Sequence, residues 1–262
     1  TQVNVRTAGT QANAAVAVDA GGGAIVVWSS YFTSQGRSND ILARRLDPNG
    51  EPAGDEFQVN AAGAGNQTEP AVAMSRGGDF VVVWHGPGLE EEDIFLRLFD
   101  SDGRPQSDEM LVNLAAAGRQ MYPAVAADAA GRFVVAWESQ TAAEEEDVER
   151  TCIRAQLFDP NGAGLGPEIV VHDDEADNRY PDVAMNGRGG FAATWLRERS
   201  VSSVMARLFD ANGIPVCEAF EVSTVALASL TRPSIAMNAA GGVHRNRRSE
   251  EHTSELQSHH PI

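Results

Sequence analysis

Four short apolar runs recur in the same order along the chain, each bounded by a cluster of Gly, Asp, Asn or Pro. In residues 67–113 they read PAVAM, FVVVW, DIFLRLF and EMLVN. Runs of this length, rich in Val, Ile and aromatics between turn formers, are strand signals, so each unit is predicted to hold four strands, A to D. Strand B is an unbroken apolar run in every copy (AIVVW, FVVVW, FVVAW, FAATW), which requires cover on both faces. Strand A is small and apolar, as suits a crowded inner position. Strand D is short and more polar, as an outer edge should be.

The copies align on tryptophan. Trp28, Trp84, Trp137 and Trp195 are the four tryptophans of the chain, and the steps between them are 56, 53 and 58 residues. That period belongs to propeller blades rather than to helical solenoids. The units run 11–60, 67–113, 120–172 and 178–223, with a partial unit at 231–243, so residues 1–243 are expected to form one array sharing a continuous core. Residues 1–10 match the tail of the first unit and are expected to be the last strand of a preceding one. The expected fold is therefore all-β: an incomplete β-propeller of four nearly complete four-stranded blades with partial blades at both ends, its nearest partners being the missing blades of the same polypeptide.

Beyond residue 243 the apolar pattern stops, and Arg247 stands where a fifth tryptophan is due. The segment RSEEHTSELQSH resembles one reading frame of a sequencing-library adapter. Residues 244–262 are accordingly expected to be non-native or disordered, and the chain a metagenomic fragment. Four of the six histidines lie in this tail, so its HxxxxxxHH spacing is given no metal role.

Between strands C and D the sequences DPNG, DSDG, DPNG and DANG begin at Asp47, Asp100, Asp159 and Asp210 and end at Gly50, Gly103, Gly162 and Gly213. Asp accepts from its own backbone two residues on, and Gly takes the positive φ that closes the hairpin. An alternation of Asp and Asn also resembles the start of a calcium loop, but the following residues lack the further ligands. No cofactor is expected, with calcium the one alternative left open. In a meander the A–B and C–D turns share one face, so variable B–C loops and inter-unit connections share the other.

Composition narrows the partners. The formal charge is −17, from 37 acidic residues against 20 arginines with no lysine, which argues against nucleic acid. No apolar run approaches the roughly 20 residues of a membrane-spanning helix. Cys152 and Cys217 are predicted far apart, as free thiols.

The variable face carries the candidate chemistry. Tyr122, Tyr180 and Arg179 precede strand A and border the channel mouth, where propellers bind ligands. Glu90, Glu91, Glu92 and Asp93, with Glu144, Glu145, Glu146 and Asp147, fall in adjacent B–C loops; they form either a site for a cation or cationic ligand or a solvated acidic rim. His172 with Asp173, Asp174 and Asp177 mixes imidazole and carboxylates at spacings compatible with a metal, or with a merely polar connection. His85 has no Ser or Cys motif to make a triad. Arg44, Arg97 and Arg207, replaced by Gln156 in the third copy, are expected to pack on tryptophan or pair with a turn Asp.

The pattern QxxPxVAxxxxGxFVVxW, DIxxRxFDxxG, VN resembles the roughly 50-residue repeats of large secreted or surface-attached bacterial proteins with predicted β-propellers. The resemblance implies an extracellular or cell-surface location and a non-catalytic binding or adhesion scaffold, with a glycan or a protein as ligand. Two alternatives stand beside it. One is the substrate-binding part of a secreted polysaccharide hydrolase or lyase, and the other is a structural spacer stabilised by calcium.

Overall fold

The computed structural model describes residues 1–32, 38–61, 65–88, 91–114, 118–140, 150–223 and 232–245. These hold four antiparallel four-stranded sheets and a two-stranded fifth. The first sheet is β1 (Thr10–Val18), β2 (Ala24–Phe32), β3 (Ser38–Leu46) and β4 (Phe57–Gln58). The second is β5 (Thr68–Met74), β6 (Phe80–Pro87), β7 (Glu92–Phe99) and β8 (Met110–Leu111). The third comprises β9 (Gln120–Ala127), β10 (Phe133–Gln140), β11 (Thr151–Phe158) and β12 (Ile169–His172); the fourth, β13 (Asp177–Met185), β14 (Phe191–Glu198), β15 (Ser203–Phe209) and β16 (Phe220–Glu221). β17 (Ile235–Met237) pairs with β18 (Val243–Arg245). Each sheet is a simple meander, and the first strands β1, β5, β9, β13 and β17 pack side by side in chain order. The fold is a β-propeller, with these strands around its axis. The tail beyond residue 245 lies outside the described residues.

Hydrophobic burial between successive sheets supplies the core. One cluster joins Ile25, Val27 and Ile41 of the first blade to Val82, Trp84 and Phe99 of the second. Another joins Val83, Ile94 and Leu96 to Val135, Trp137 and Phe158, and a third joins Val134, Ile153 and Leu157 to Ala193, Trp195 and Phe209. Strand β6 is buried from Phe80 through Gly86 because it is sandwiched on both faces, which is why its sequence shows no alternation.

Three polar devices repeat with the core. Each tryptophan indole N–H donates to an amide 17 residues earlier: Trp28 to Gln11 (2.8 Å), Trp84 to Gln67 (3.0 Å), Trp137 to Gln120 (2.9 Å) and Trp195 to Asn178 (3.0 Å). A buried indole thus keeps a partner, as burial demands. Asp47, Asp100, Asp159 and Asp210 each accept two backbone N–H groups through Oδ1, at 2.8–3.0 Å, and the glycines that follow have φ of 78–82°. These carboxylates are hairpin turns built from their own backbone.

The strand-C arginines correct an expectation. They neither pack on tryptophan nor pair with a turn Asp; they stitch blades together. Arg97 donates through Nε to Ser107 O of its own blade and through Nη1 to Val59 O of the preceding one (3.1 and 2.9 Å). Arg207 does the same with Cys217 O and Val171 O, and Arg44 with Gly54 O and Val3 O. Val3 therefore stands where a preceding blade's last strand would. Gln156 reaches only its own blade, at Gly166 O (3.1 Å). Cys152 is buried, and both cysteines are free.

Candidate functional site around the propeller axis

In the second, third and fourth blades strand A does not start at its proline, as the apolar run suggested, but two to four residues earlier, and in all four complete blades it is interrupted by a bulge. The ladder to strand B skips two residues in each complete blade: Asn13 and Ala14, Glu69 and Pro70, Tyr122 and Pro123, Tyr180 and Pro181. Proline fits here because the ladder needs no N–H from it. The first of the two skipped residues is left-handed in every case: Asn13 (φ 54°), Glu69 (52°), Tyr122 (51°) and Tyr180 (53°) are the non-glycine residues with positive φ among those described. Such backbone costs about 1 kcal/mol or more per residue and concentrates at functional sites. Four examples at one repeat position form a designed ring, with bulges re-aiming the side chains.

The ring surrounds a cavity of about 300 Å³ on the axis, lined by Glu69, Tyr122, Tyr180, Asp182 and Arg232 together with the prolines and small residues of strand A. Its polar members are connected. Arg232, from the fifth blade, pairs with Glu69 of the second across the cavity (2.7 Å). The same guanidinium lies over both tyrosine rings, 5.1 Å from Tyr122 and 5.0 Å from Tyr180. The two rings meet edge to face at 5.1 Å, an attractive geometry for aromatic pairs. Asp182 occupies the position held by Ala15, Ala71 and Ala124 in the other blades. It accepts from Val183 N (3.0 Å) and, across to the fifth blade, from Ile235 N (2.8 Å). Burial pushes its carboxyl up to about 6, against the pull of those two bonds.

Behind the ring sit the residues that follow the tryptophans. Glu138, fully buried, accepts the Tyr180 N–H at Oε1 (2.6 Å), and its Oε2 has no hydrogen-bond partner among the described residues. Burial pushes it up to about 7. His85 accepts the Tyr122 N–H at Nδ1 (3.3 Å) and lies edge to face with that ring; burial pulls its pKa below the ordinary value.

The remaining candidates are placed elsewhere. Arg179, one residue before Tyr180, pairs with Asp177 (3.5 Å) and Glu198 (3.3 Å) away from the cavity. Glu90 and Glu144, Glu145, Glu146 and Asp147 lie outside the described residues. Glu91 is exposed; Glu92 pairs with Arg119, which lowers its pKa. Asp93 is buried and accepts from Asn113 Nδ2 (2.8 Å), a bond that ties strand C to strand D. His172 meets Asp174 at 3.4 Å, but Asp174 faces Arg197 (2.5 Å) and Arg199 (3.2 Å). Burial alone would raise Asp174, yet bonds from Asn178 Nδ2 and Ala176 N and the Arg197 guanidinium hold it well below the carboxylate range. Asp177 bonds Thr151 (3.3 Å). Among the described residues no three His, Cys, Asp or Glu side chains converge as a metal site, and no helix is long and apolar enough to cross a membrane.

Neither a protein-family model nor a curated protein matches the sequence. Solved structures do resemble it. An α-L-arabinanase from Penicillium chrysogenum in complex with arabinobiose matches with TM-score 0.61 and 13% identity over 88% of this chain and 72% of that one. An α-L-arabinofuranosidase from Fusarium graminearum in complex with an iminosugar inhibitor matches with TM-score 0.61 and 11% identity, over the same shares. A protein of unknown function from Dyadobacter fermentans matches with TM-score 0.54 and 9% identity, and this chain spans 66% of it. At such identities the likeness shows the fold. It also corrects the order of the functional readings: the named neighbours are carbohydrate hydrolases, and the non-catalytic adhesion scaffold gives way to the hydrolase reading that stood second.

Proposed function

We propose that this propeller is the catalytic module of a secreted polysaccharide hydrolase, with arabinose-containing polymers as the first substrate class to test. The observation that carries the reading is a pair of carboxyl groups in opposite settings lining one cavity. Asp182, pushed up to about 6, holds a proton in mildly acidic solution, whereas Glu69 is matched by the Arg232 guanidinium at 2.7 Å. A carboxyl that keeps its proton and a second one paired with a guanidinium supply the two roles such hydrolysis needs, a general acid and an anionic partner. Asp182 would protonate the departing glycosidic oxygen. Glu69 would stabilise the positive charge that develops on the sugar, or activate the water that replaces the leaving group. Tyr122 and Tyr180 offer apolar ring faces and edges to the sugar, and Arg232 orients its hydroxyls.

Reducing-end release from arabinan, and from a panel of neutral and acidic polysaccharides, tests the reading. Activity on one of these polymers is expected, with Asp182→Asn and Glu69→Gln each lowering kcat by about 10²–10⁴-fold. A folded protein that cleaves none of them, or whose activity survives both substitutions, overturns it.

A further inference from the structure

We propose that Glu138 is a positioning residue of the axial cavity: through the blade boundary it holds the left-handed Tyr180 by its backbone amide and so fixes where the ring meets the sugar. The bulge removes Tyr180 from the strand ladder, which leaves its N–H in need of an acceptor inside the protein. Glu138 Oε1 supplies it at 2.6 Å. A fully buried carboxyl whose second oxygen lacks a partner among the described residues is an expensive way to fill space. The equivalent position in the fourth blade shows the inexpensive way, a fully buried leucine, Leu196. Packing therefore does not explain the acid; the amide it receives does.

The same relationship recurs one blade earlier. His85 follows Trp84 as Glu138 follows Trp137, and its Nδ1 accepts the Tyr122 N–H at 3.3 Å. Acceptance at Nδ1 requires the neutral imidazole with its proton on Nε2. Ser29, which follows Trp28, reaches Thr68 Oγ1 beside Glu69 (3.4 Å). Where the ring residue is aromatic, the residue after the preceding blade's tryptophan is a hydrogen-bond acceptor for its amide. Protonation of Glu138 at Oε2 leaves the Oε1 acceptor in place, so the hold persists on both sides of its titration. Glu138 itself does not reach the cavity; it acts through Tyr180.

The substrate part of this inference rests on the hydrolase reading, and the test separates the two. Hydrogen exchange at single amides is measured in the wild type, Glu138→Gln, which keeps an acceptor oxygen, and Glu138→Leu, which removes it. Exchange at Tyr180 is expected to accelerate at least ~10-fold in Glu138→Leu, with Tyr122 unchanged, and to return to the wild-type rate in Glu138→Gln. On linear arabino-oligosaccharides, Glu138→Leu is expected to raise KM or Kd about 10-fold with little change in kcat. Should Glu138→Leu not fold, His85→Leu with exchange read at Tyr122 tests the same geometry. Unchanged exchange at the held tyrosine overturns the positioning role whatever the sugar result. Faster exchange in a protein that neither binds nor cleaves any glycan upholds the positioning role and sinks only the hydrolase reading.

Discussion

Tyr180 and Glu138 belong to neighbouring blades, 42 residues apart in sequence, and the backbone amide of the first donates to the buried carboxyl of the second at 2.6 Å. The bond ties an uncommon backbone conformation on the cavity wall to an acid hidden behind it. Stability and site geometry therefore depend on a common group.

Stability should rise as the solution is acidified from pH 8 to pH 5.5. Burial raises Glu138 from 4.5 to about 7 and Asp182 from 3.8 to about 6. A group whose folded-state pKa is raised contributes stability that is complete below the unfolded value and lost as pH climbs through the folded one. For Glu138 the difference corresponds to about 3 kcal/mol. His85 works in the opposite sense below its ordinary value of 6.5, so the gain levels off at the acid end. Urea denaturation across this range, repeated on Glu138→Gln, checks the assignment: the substitution should stabilise the protein at pH 8 and flatten the slope.

The indole–amide pairs predict a graded loss. Gln67→Ala or Gln120→Ala leaves a fully buried Trp84 or Trp137 N–H unpaired, at a cost of about 1–3 kcal/mol. Trp84→Ala opens a cavity between two blades and should cost about 3–5 kcal/mol. Thermal unfolding should rank the variants in that order.

The arginine stitch is absent from one interface, which makes a gain testable. By analogy with Arg97 and Arg207, Gln156→Arg should reach Val112 O and add about 1 kcal/mol, while Arg97→Ala should remove about 1.5–3 kcal/mol. A Gln156→Arg protein no more resistant to urea than the wild type would show that this interface lacks the register of the other two.

At the C–D turns, Gly103→Ala forces an alanine to φ of 80°, with its Cβ 3.2 Å from Arg45 Cδ, and Asp100→Ala removes the carboxylate oxygen that accepts two backbone N–H groups. Each is expected to lower stability by about 1–2 kcal/mol. The equivalent changes at Gly162 and Asp159 should behave alike, since the turns superpose in chemistry.

The propeller was legible because its frame repeats: one tryptophan, one amide 17 residues before it and one Asp–Gly turn per blade are patterns that a single chain displays four times. Tyr122 and Tyr180 were legible by their place before strand A. Glu69 and Arg232 share that place, directly before Pro70 and Pro233, and alignment on proline would have found them. Asp182 announced itself only as an acid where three copies have alanine, and Glu138 as an acid ending an apolar run. Their partners were hidden because they lie across blade boundaries, as far as 163 residues away for Arg232 and Glu69. For the acidic loop at Glu92 and Asp93 the local partners, Arg119 and Asn113, are what the sequence leaves out.

The residue before each strand-A proline, and before Ala14 in the first blade, stands outside the ladder, the turns and the inter-blade core, so its identity is free of the demands that hold the propeller together. Asn, Glu, Tyr, Tyr and Arg occupy the five places. The cavity wall is thus written one letter per blade on an unchanging page, and duplication of a repeat followed by single substitutions is enough to compose a new vocabulary of recognition without redrafting the fold.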